Sequence, residues 1–155
     1  MEKNIDIAEN DAKQYIVVKI GSEQYGIDIS YIDNIVRMQK ITRVPKIQTY
    51  FKGVINLRGE IVPVMSVRKK MNLDDDVITN ASRIIILKLE EKGTIGIIVD
   101  EVKEVVTLGE ESIEKPNVSD AADPMVQYLS GIGKHWDGLV SLLNIASVII
   151  EKENV

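Results

Sequence analysis

The segment Lys52-Gly-Val-Ile-Asn-Leu-Arg-Gly-Glu-Ile-Val-Pro-Val-Met-Ser66 places a polar turn between two apolar runs. The runs Gly53 to Leu57 and Ile61 to Met65 have the length and β-branched content of strands, so they predict a β-hairpin. Gly59 is the residue most able to adopt a positive φ angle at the turn. The side chain of Arg58 would then project from the tip of a hairpin whose arms are apolar.

The length and composition of the chain limit its architecture. A chain of 155 residues with 45% hydrophobic content forms one domain of ordinary size or two very small subdomains. The absence of cysteine excludes disulfides and thiolate metal sites, which fits a reducing compartment. The polar, acidic N-terminus lacks the features of a signal peptide, and the apolar runs are far shorter than the roughly 20 residues that a membrane-spanning helix needs. We expect a soluble cytoplasmic protein with flexible tails at residues 1–13 and 151–155.

Charge is distributed unevenly along the chain, whose net charge is -5. Nine of the 19 basic residues lie between Arg37 and Lys70, where Glu60 is the only acid, so this basic segment carries +8. The rest of the chain, with 10 basic and 23 acidic residues, carries -13. The basic segment suits an acidic partner, although solvated strands and loops explain it as well. Nucleic acid is a weaker alternative, because Tyr50 and Phe51 are the only stacking candidates in the segment.

The residues that flank the central hairpin predict short helices. Ile32, Ile35 and Val36 have the spacing of one helix face, and Asp28 or Ser30 would cap that helix.

Two further helices are predicted directly after hairpins. One is a single turn from Val67 to Met71, and the other runs from Ile145 to Ile150 with Asn144 as its cap. Between them, the linker Leu73 to Asn80 contains three consecutive acids, which we expect to resist burial.

The two halves of the chain resemble each other. The matching segments are residues 16–20 with 85–89, 25–29 with 95–99, 50–54 with 128–132, and 60–64 with 138–142. Gly26 matches Gly96, Arg58 matches Trp136, and Asp137-Gly138 is the turn signal of the second hairpin. Because a unit of about 65 residues buries little of its surface, the repeat predicts two small barrels that pack together, with a groove between them. Chance similarity among strand-rich segments is the alternative.

The sequence contains no convincing catalytic set. His135 is the only histidine, and a lone histidine without cysteine makes a zinc site improbable. A small acid-base enzyme that uses Asp100, Glu101 or His135 is a remaining alternative, but acids this close in sequence more often form a solvated face. Gly131-Ile-Gly133 lacks the rest of a dinucleotide fingerprint. We therefore expect no catalysis, no cofactor and no metal.

A few residues indicate docking instead. Arg58 is a forked donor suited to bidentate contact with a partner, although it also fits an ordinary exposed turn. The repeat places Ile35 and Val105 at equivalent positions in the two halves. If they flank the groove, they and Ile32 are positioned to grip a helix, and packing in the core is the alternative.

From Gln14 to Ile150 the chain resembles the CheW family of bacterial chemotaxis coupling proteins. The motifs that carry the resemblance are Tyr25-Gly-Ile-Asp-Ile29, Ile41-Thr-Arg-Val-Pro45, Phe51-Lys-Gly-Val-Ile-Asn-Leu-Arg-Gly-Glu-Ile-Val-Pro-Val64, Gly96-Ile-Ile-Val-Asp-Glu-Val102 and Tyr128-Leu-Ser-Gly-Ile-Gly133. The resemblance implies a mainly β fold of two intertwined five-stranded SH3-like barrels around a shared core, with short helices. It places the subdomains at about 14–80 and 81–150.

The resemblance also implies a non-catalytic adaptor that joins a CheA-type histidine kinase to the cytoplasmic tips of chemoreceptors at inner-membrane arrays. By matched position, it implies receptor-contact roles for Ile32, Asn34, Arg58 and Val105, to which the repeat adds Ile35. The regulatory domain of the kinase has the same fold in this family and would bind barrel end to barrel end, but no residues of this chain are assigned to that contact.

Three residues depart from the family pattern. Asn34 and Ser66 stand where members often carry acids, and Asn144 stands where aspartate is common. These departures put local salt bridges and partner preference in doubt, but not the fold.

Overall fold

Two sets of paired strands dominate the computed structural model, which describes residues 12–90, 93–115, 125–135 and 138–149. The strands β1 to β11 are Lys13–Ile20, Glu23–Asp28, Ile32–Arg37, Phe51–Leu57, Glu60–Ser66, Arg83–Leu89, Gly93–Val99, Glu101–Leu108, Ile113–Glu114, Leu129–His135 and Gly138–Leu143. Helices α1 (Val67–Lys70) and α2 (Ile145–Ile149) are short, and 3-10 turns occupy Ile29–Tyr31, Glu110–Ser112 and Val126–Tyr128. No helix in these ranges is long and apolar enough to cross a membrane.

The strands form two sheets that each mix the two halves of the sequence. One sheet has the order β8-β1-β2-β11-β10-β9, and the other has the order β3-β6-β7-β5-β4. The chain divides into a first unit of Met1–Val17, Glu23–Ile29 and Glu104–Val155, and a second unit of Val18–Ser22 and Ser30–Lys103. This partition differs from a sequential division near residue 80, because each half contributes one hairpin to each unit. The mainly β, intertwined fold that the sequence predicted is confirmed.

In each unit, a parallel strand pair joins the two hairpins. In the first unit Gly26 on β2 pairs with Leu142 on β11, and in the second unit Gly96 on β7 pairs with Val64 on β5. A Cβ atom at Gly26 would lie 2.7 Å from Leu142 Cδ2, and one at Gly96 would lie 2.8 Å from Ile84 Cγ2. The matching glycines of the repeat therefore occupy equivalent, closely packed positions.

The second unit closes into a barrel beyond the end of β3. Thr42 and Val54 exchange two backbone hydrogen bonds of 2.8 Å, which join the chain after β3 to β4 at the other edge of the sheet. Gly53 permits this approach, because its φ angle is 140° and a Cβ atom there would lie 2.1 Å from the carbonyl oxygen of Thr42. In the first unit, β9 pairs with β10 at the equivalent place.

Each unit has its own apolar cluster. The first contains Tyr15, Val17, Val106, Leu108, Val140 and Leu142, and the second contains Ile55, Val62, Val64, Ile84, Ile86 and Ile98. Because these side chains alternate along their strands, one face of each sheet supplies the cluster.

The helix predicted from Ile32, Ile35 and Val36 is wrong, because these residues belong to β3, which pairs antiparallel with β6. A β-bulge shifts the register between Ile32 and Asn34. The extra residue breaks the two-residue alternation and produces a spacing that resembles a helix.

The two helices predicted after the hairpins are confirmed, and so is the Asn144 cap, whereas the Ser66 cap was not predicted. Ile150, the predicted last residue of the second helix, lies outside the described residues. The backbone N–H of Lys69 donates to Ser66 Oγ (3.2 Å), and that of Ser147 donates to Asn144 Oδ1 (3.2 Å). Ser66 and Asn144 are thus both helix caps. Part of the predicted Asp137-Gly138 turn lies outside the described residues.

Candidate docking site

Arg58 lies in a two-residue turn between Leu57 and Glu60, which pair as the last rung of the β4–β5 hairpin. The φ angles of Arg58 and Gly59 are 53° and 84°, which is the pattern of a type I′ turn. The backbone N–H of Gly59 donates to Asn56 Oδ1 (2.9 Å) and fixes the loop. The positive φ of Gly59 is confirmed, and that of Arg58 was not foreseen.

The backbone of Arg58 is strained. A non-glycine residue in the left-handed region costs about 1 kcal/mol, and asparagine or glycine is the usual choice at this position of the turn. The side chain of Arg58 is exposed, so no burial in the described structure offsets this cost. Strain retained at an exposed position points to a role for the side chain itself.

The other candidates of the second unit lie on β3. Ile32, Asn34 and Ile35 are half-buried, which leaves part of each side chain accessible. Asn34 Oδ1 accepts a hydrogen bond from the backbone N–H of Ile35 (2.9 Å), so the Asn34 side chain supports the bulge locally. All three residues lie on the same edge strand.

The structure brings four of the five predicted contact residues into one unit. Ile32, Asn34 and Ile35 lie on one edge strand of the five-stranded sheet, and Arg58 lies at the tip of the hairpin that forms the other edge. Val105 lies on β8 in the first unit and is 52% exposed, so it is not a core residue there. The assignment of all five to a receptor contact stays a prediction.

The basic segment is partly neutralised within the protein. Lys52 Nζ lies 2.7 Å from Asp75 Oδ1, and Lys69 Nζ lies 3.7 Å from Asp75 Oδ2. The hydrogen bond from Lys52 is the main reason why the pKa of Asp75 lies below its ordinary value. Arg68 is paired with Asp100. These pairs leave less uncompensated positive charge for nucleic acid than the sequence suggested.

The expectation that the linker acids resist burial is wrong for Asp76, whose side chain is only 3% exposed. Ser66 Oγ donates a hydrogen bond to Asp76 Oδ2, and Lys52 Nζ lies 4.0 Å from the same oxygen. Burial raises the pKa of Asp76, and the bond from Ser66 opposes this shift only in part. The sequence feature that could have predicted this contact is the run of acids directly after the basic segment, because opposite charges pair on folding.

Asp100, the candidate acid of the enzyme alternative, has structural partners. It accepts a hydrogen bond from the backbone N–H of Gly21 (2.8 Å) and another from Arg68, whose side chain is 12% exposed. The bond to Asp100 is the main reason why the pKa of Arg68 is raised. His135 belongs to the other unit, and Glu101 is exposed at the start of β8. Asp100 therefore secures the chain between β7 and β8.

The CheW-like domain model matches residues 14–153, which include strands of both units. The chain belongs to the CheW-like domain family. The chemotaxis protein CheW of Bacillus subtilis (strain 168) is 34% identical over 142 residues, which cover 92% of this chain and 89% of that protein. The CheW protein of Klebsiella aerogenes is 30% identical over 145 residues, or 94% of this chain and 86% of that protein.

A solved structure of the family has the same fold. The scaffolding protein TtCheW from Thermoanaerobacter tengcongensis superposes with a TM-score of 0.80 at 30% identity, covering 92% of this chain and 90% of that one. The family resemblance inferred from the five sequence motifs is thereby confirmed.

Proposed function

We propose that this chain is a non-catalytic adaptor that couples the cytoplasmic tips of chemoreceptors to a CheA-type histidine kinase. The observation that carries the proposal is the family match across residues 14–153, which takes in the hairpins of both units. The relative in a solved structure is described as a scaffolding protein, which supports the same role. The adaptor would act in the cytoplasm and be recruited to receptor arrays at the inner membrane.

We further propose that Arg58 and the β3 residues Ile32, Asn34 and Ile35 bind the receptor tip, together with Val105 of the first unit. A helical tip offers apolar side chains to half-buried isoleucines and polar side chains to a forked guanidinium. The strained turn of Arg58 supports this role, because the chain retains a charged side chain where glycine would fit better. The regulatory domain of the kinase would bind elsewhere, through barrel ends.

A pull-down with a receptor-tip fragment and a kinase regulatory-domain fragment tests the proposal. We expect the full chain to capture both fragments together. Arg58→Glu should weaken capture of the receptor tip by roughly tenfold or more, because charge reversal at a contact arginine replaces attraction with repulsion.

Lys13→Glu is the matched control, since it makes the same charge change at an exposed position at the start of β1. It should leave capture unchanged. Undiminished capture by a folded Arg58→Glu variant would remove Arg58 from the site, and capture of neither fragment by the unmodified chain would overturn the adaptor role.

A further inference from the structure

Two arginines face each other across the β3–β6 pair. Arg37, the last residue of β3, is the register partner of Arg83, the first residue of β6. Like charges directly opposite each other on antiparallel strands repel and destabilise the pair. None of the ion pairs among the described residues involves either arginine. Within the described residues, the two opposed arginines therefore have no ion-pair partner.

The guanidinium of Arg83 is held in place by the preceding turn. Its Nη1 donates hydrogen bonds of 2.8 Å to the backbone carbonyls of Asn80 and Ser82. The turn is itself fixed, because the backbone N–H of Thr79 donates to the buried Ser82 Oγ (2.9 Å). These bonds use two of the five N–H donors of the guanidinium, so three donors are not used by them.

The two arginines line one cavity of about 510 Å³. Its other lining residues are Met38, Ile78, Thr79, Asn80 and Ser82, and no acidic residue of the described ranges lines it. Ile78 is 52% exposed, so an apolar surface lies beside the two positive groups. The cavity thus combines an uncompensated double positive charge with an apolar wall.

We propose that this Arg37–Arg83 pocket binds a carboxylate side chain of a protein partner, presented beside an apolar residue. A carboxylate accepts paired hydrogen bonds from arginine forks, and one placed between the two guanidinium groups would relieve their repulsion. Met38 and Ile78 would contact the apolar neighbour. The pocket uses none of the receptor-contact residues named above, so the proposal does not depend on the coupling function.

The test uses the full chain and two acetylated, amidated hexapeptides, one with adjacent glutamates flanked by leucines and the other with glutamines in their place. NMR titration should show shifts of the Arg37 and Arg83 Nε–Hε signals with the glutamate peptide. That peptide should bind roughly tenfold more tightly than the glutamine peptide, since charge-assisted bonds to arginine are strong.

Arg37→Glu should abolish the preference for glutamate and raise the midpoint of thermal unfolding, because opposite charges would then face each other on β3 and β6. A rise in the midpoint also shows that the loss of binding is not a loss of folding. Lys88→Glu makes the same charge change at an exposed position on β6 and should retain the preference.

Three results would overturn the proposal. The first is equal binding of the two peptides. The second is an equal loss in Lys88→Glu and Arg37→Glu, which would show only a general charge effect. The third is self-association that Arg37→Glu abolishes, which would assign the pocket to a second copy of the chain.

Discussion

The β4–β5 and β10–β11 hairpins have the same scaffold but different chemistry. Both contain a register shift at the same place, before Gly53 in the first and before Gly131 in the second. Both continue into a short helix with a side-chain cap, supplied by Ser66 and by Asn144. The shared register shifts and helix caps help to form the fold, so they have a structural role in both hairpins.

The differences between the two hairpins lie in charged residues. The first hairpin presents Arg58 at its tip. The sequence of the second has Trp136 at the matching position. The helix after the first hairpin supplies Arg68 and Lys69 to ion pairs, whereas the sequence of the second helix has no basic residue. The comparison teaches that the two hairpins share their closures and caps, while the exposed tip arginine and the ion pairs of the following helix belong to the first.

The largest expected effect comes from adding a methyl group at the two closures. Gly53→Ala should lower the free energy of unfolding by about 3 kcal/mol or more, because the new Cβ would meet the Thr42 carbonyl at a strained φ angle. Gly131→Ala should cost about 1–2 kcal/mol, since its Cβ would lie 2.7 Å from Ile113 Cγ2 and 3.1 Å from the Glu114 carbonyl oxygen, both longer than the contact at Gly53. Urea unfolding measures both. Equal losses of unfolding free energy in the two variants would contradict the proposed difference in packing between the two closures.

The two helix caps should give a smaller difference. Asn144→Ala should cost about 1 kcal/mol, the usual contribution of a cap. Ser66→Ala should cost about 1 kcal/mol more than that, because it also removes the hydrogen bond to the buried carboxylate of Asp76. Parallel urea titrations at pH 7 compare the variants. A cost for Ser66→Ala no greater than for Asn144→Ala would contradict a supporting role for the Asp76 contact.

The smallest effect concerns the pH dependence of the two acids, Asp75 and Asp76, that contact the first hairpin and its helix. Because the pKa of Asp76 is raised above its ordinary value of 3.8, the folded state holds this proton more tightly than the unfolded state. The stability that Asp76 contributes is fully present below its ordinary pKa, and it is lost as the pH rises through the pKa of the folded state. Asp75, with a lowered pKa, contributes in the opposite sense and loses its contribution as pH falls.

Asp76→Asn should therefore be more stable than the unmodified chain at neutral pH, with an advantage that shrinks as the solution is acidified toward pH 4. Urea midpoints measured across this range test the sign. Asp75→Asn is the matched control and should lose stability at neutral pH. An advantage of Asp76→Asn that grows on acidification would contradict the assigned cause.

Much of the scaffold could be predicted from sequence because its signals are local. Gly59 marked the central turn, and Asn144 stands directly before the helix that it caps. The resemblance between the halves also predicted that Gly26 and Gly96 are equivalent.

What could not be predicted depends on partners distant in sequence. The pairing of β2 with β11 is set by packing across more than half the chain, so the partition into units was not visible. The bulge in β3 imitated a helix spacing, and Asp76 is buried because Ser66 and Lys52 are brought to it by folding. The position of Arg58 at a turn tip was predicted, but its strained backbone was not, since arginine has no preference for that conformation.

The measurement that most directly tests the functional role of the first hairpin is titration of Arg58→Gly with a receptor-tip fragment, alongside urea unfolding. Glycine relieves the positive φ angle without changing the turn, so stability should rise by about 1 kcal/mol. Affinity for the receptor tip should fall by roughly tenfold, because the guanidinium is gone. Unchanged affinity in the stabilised variant would contradict the account and leave the tip as a structural turn.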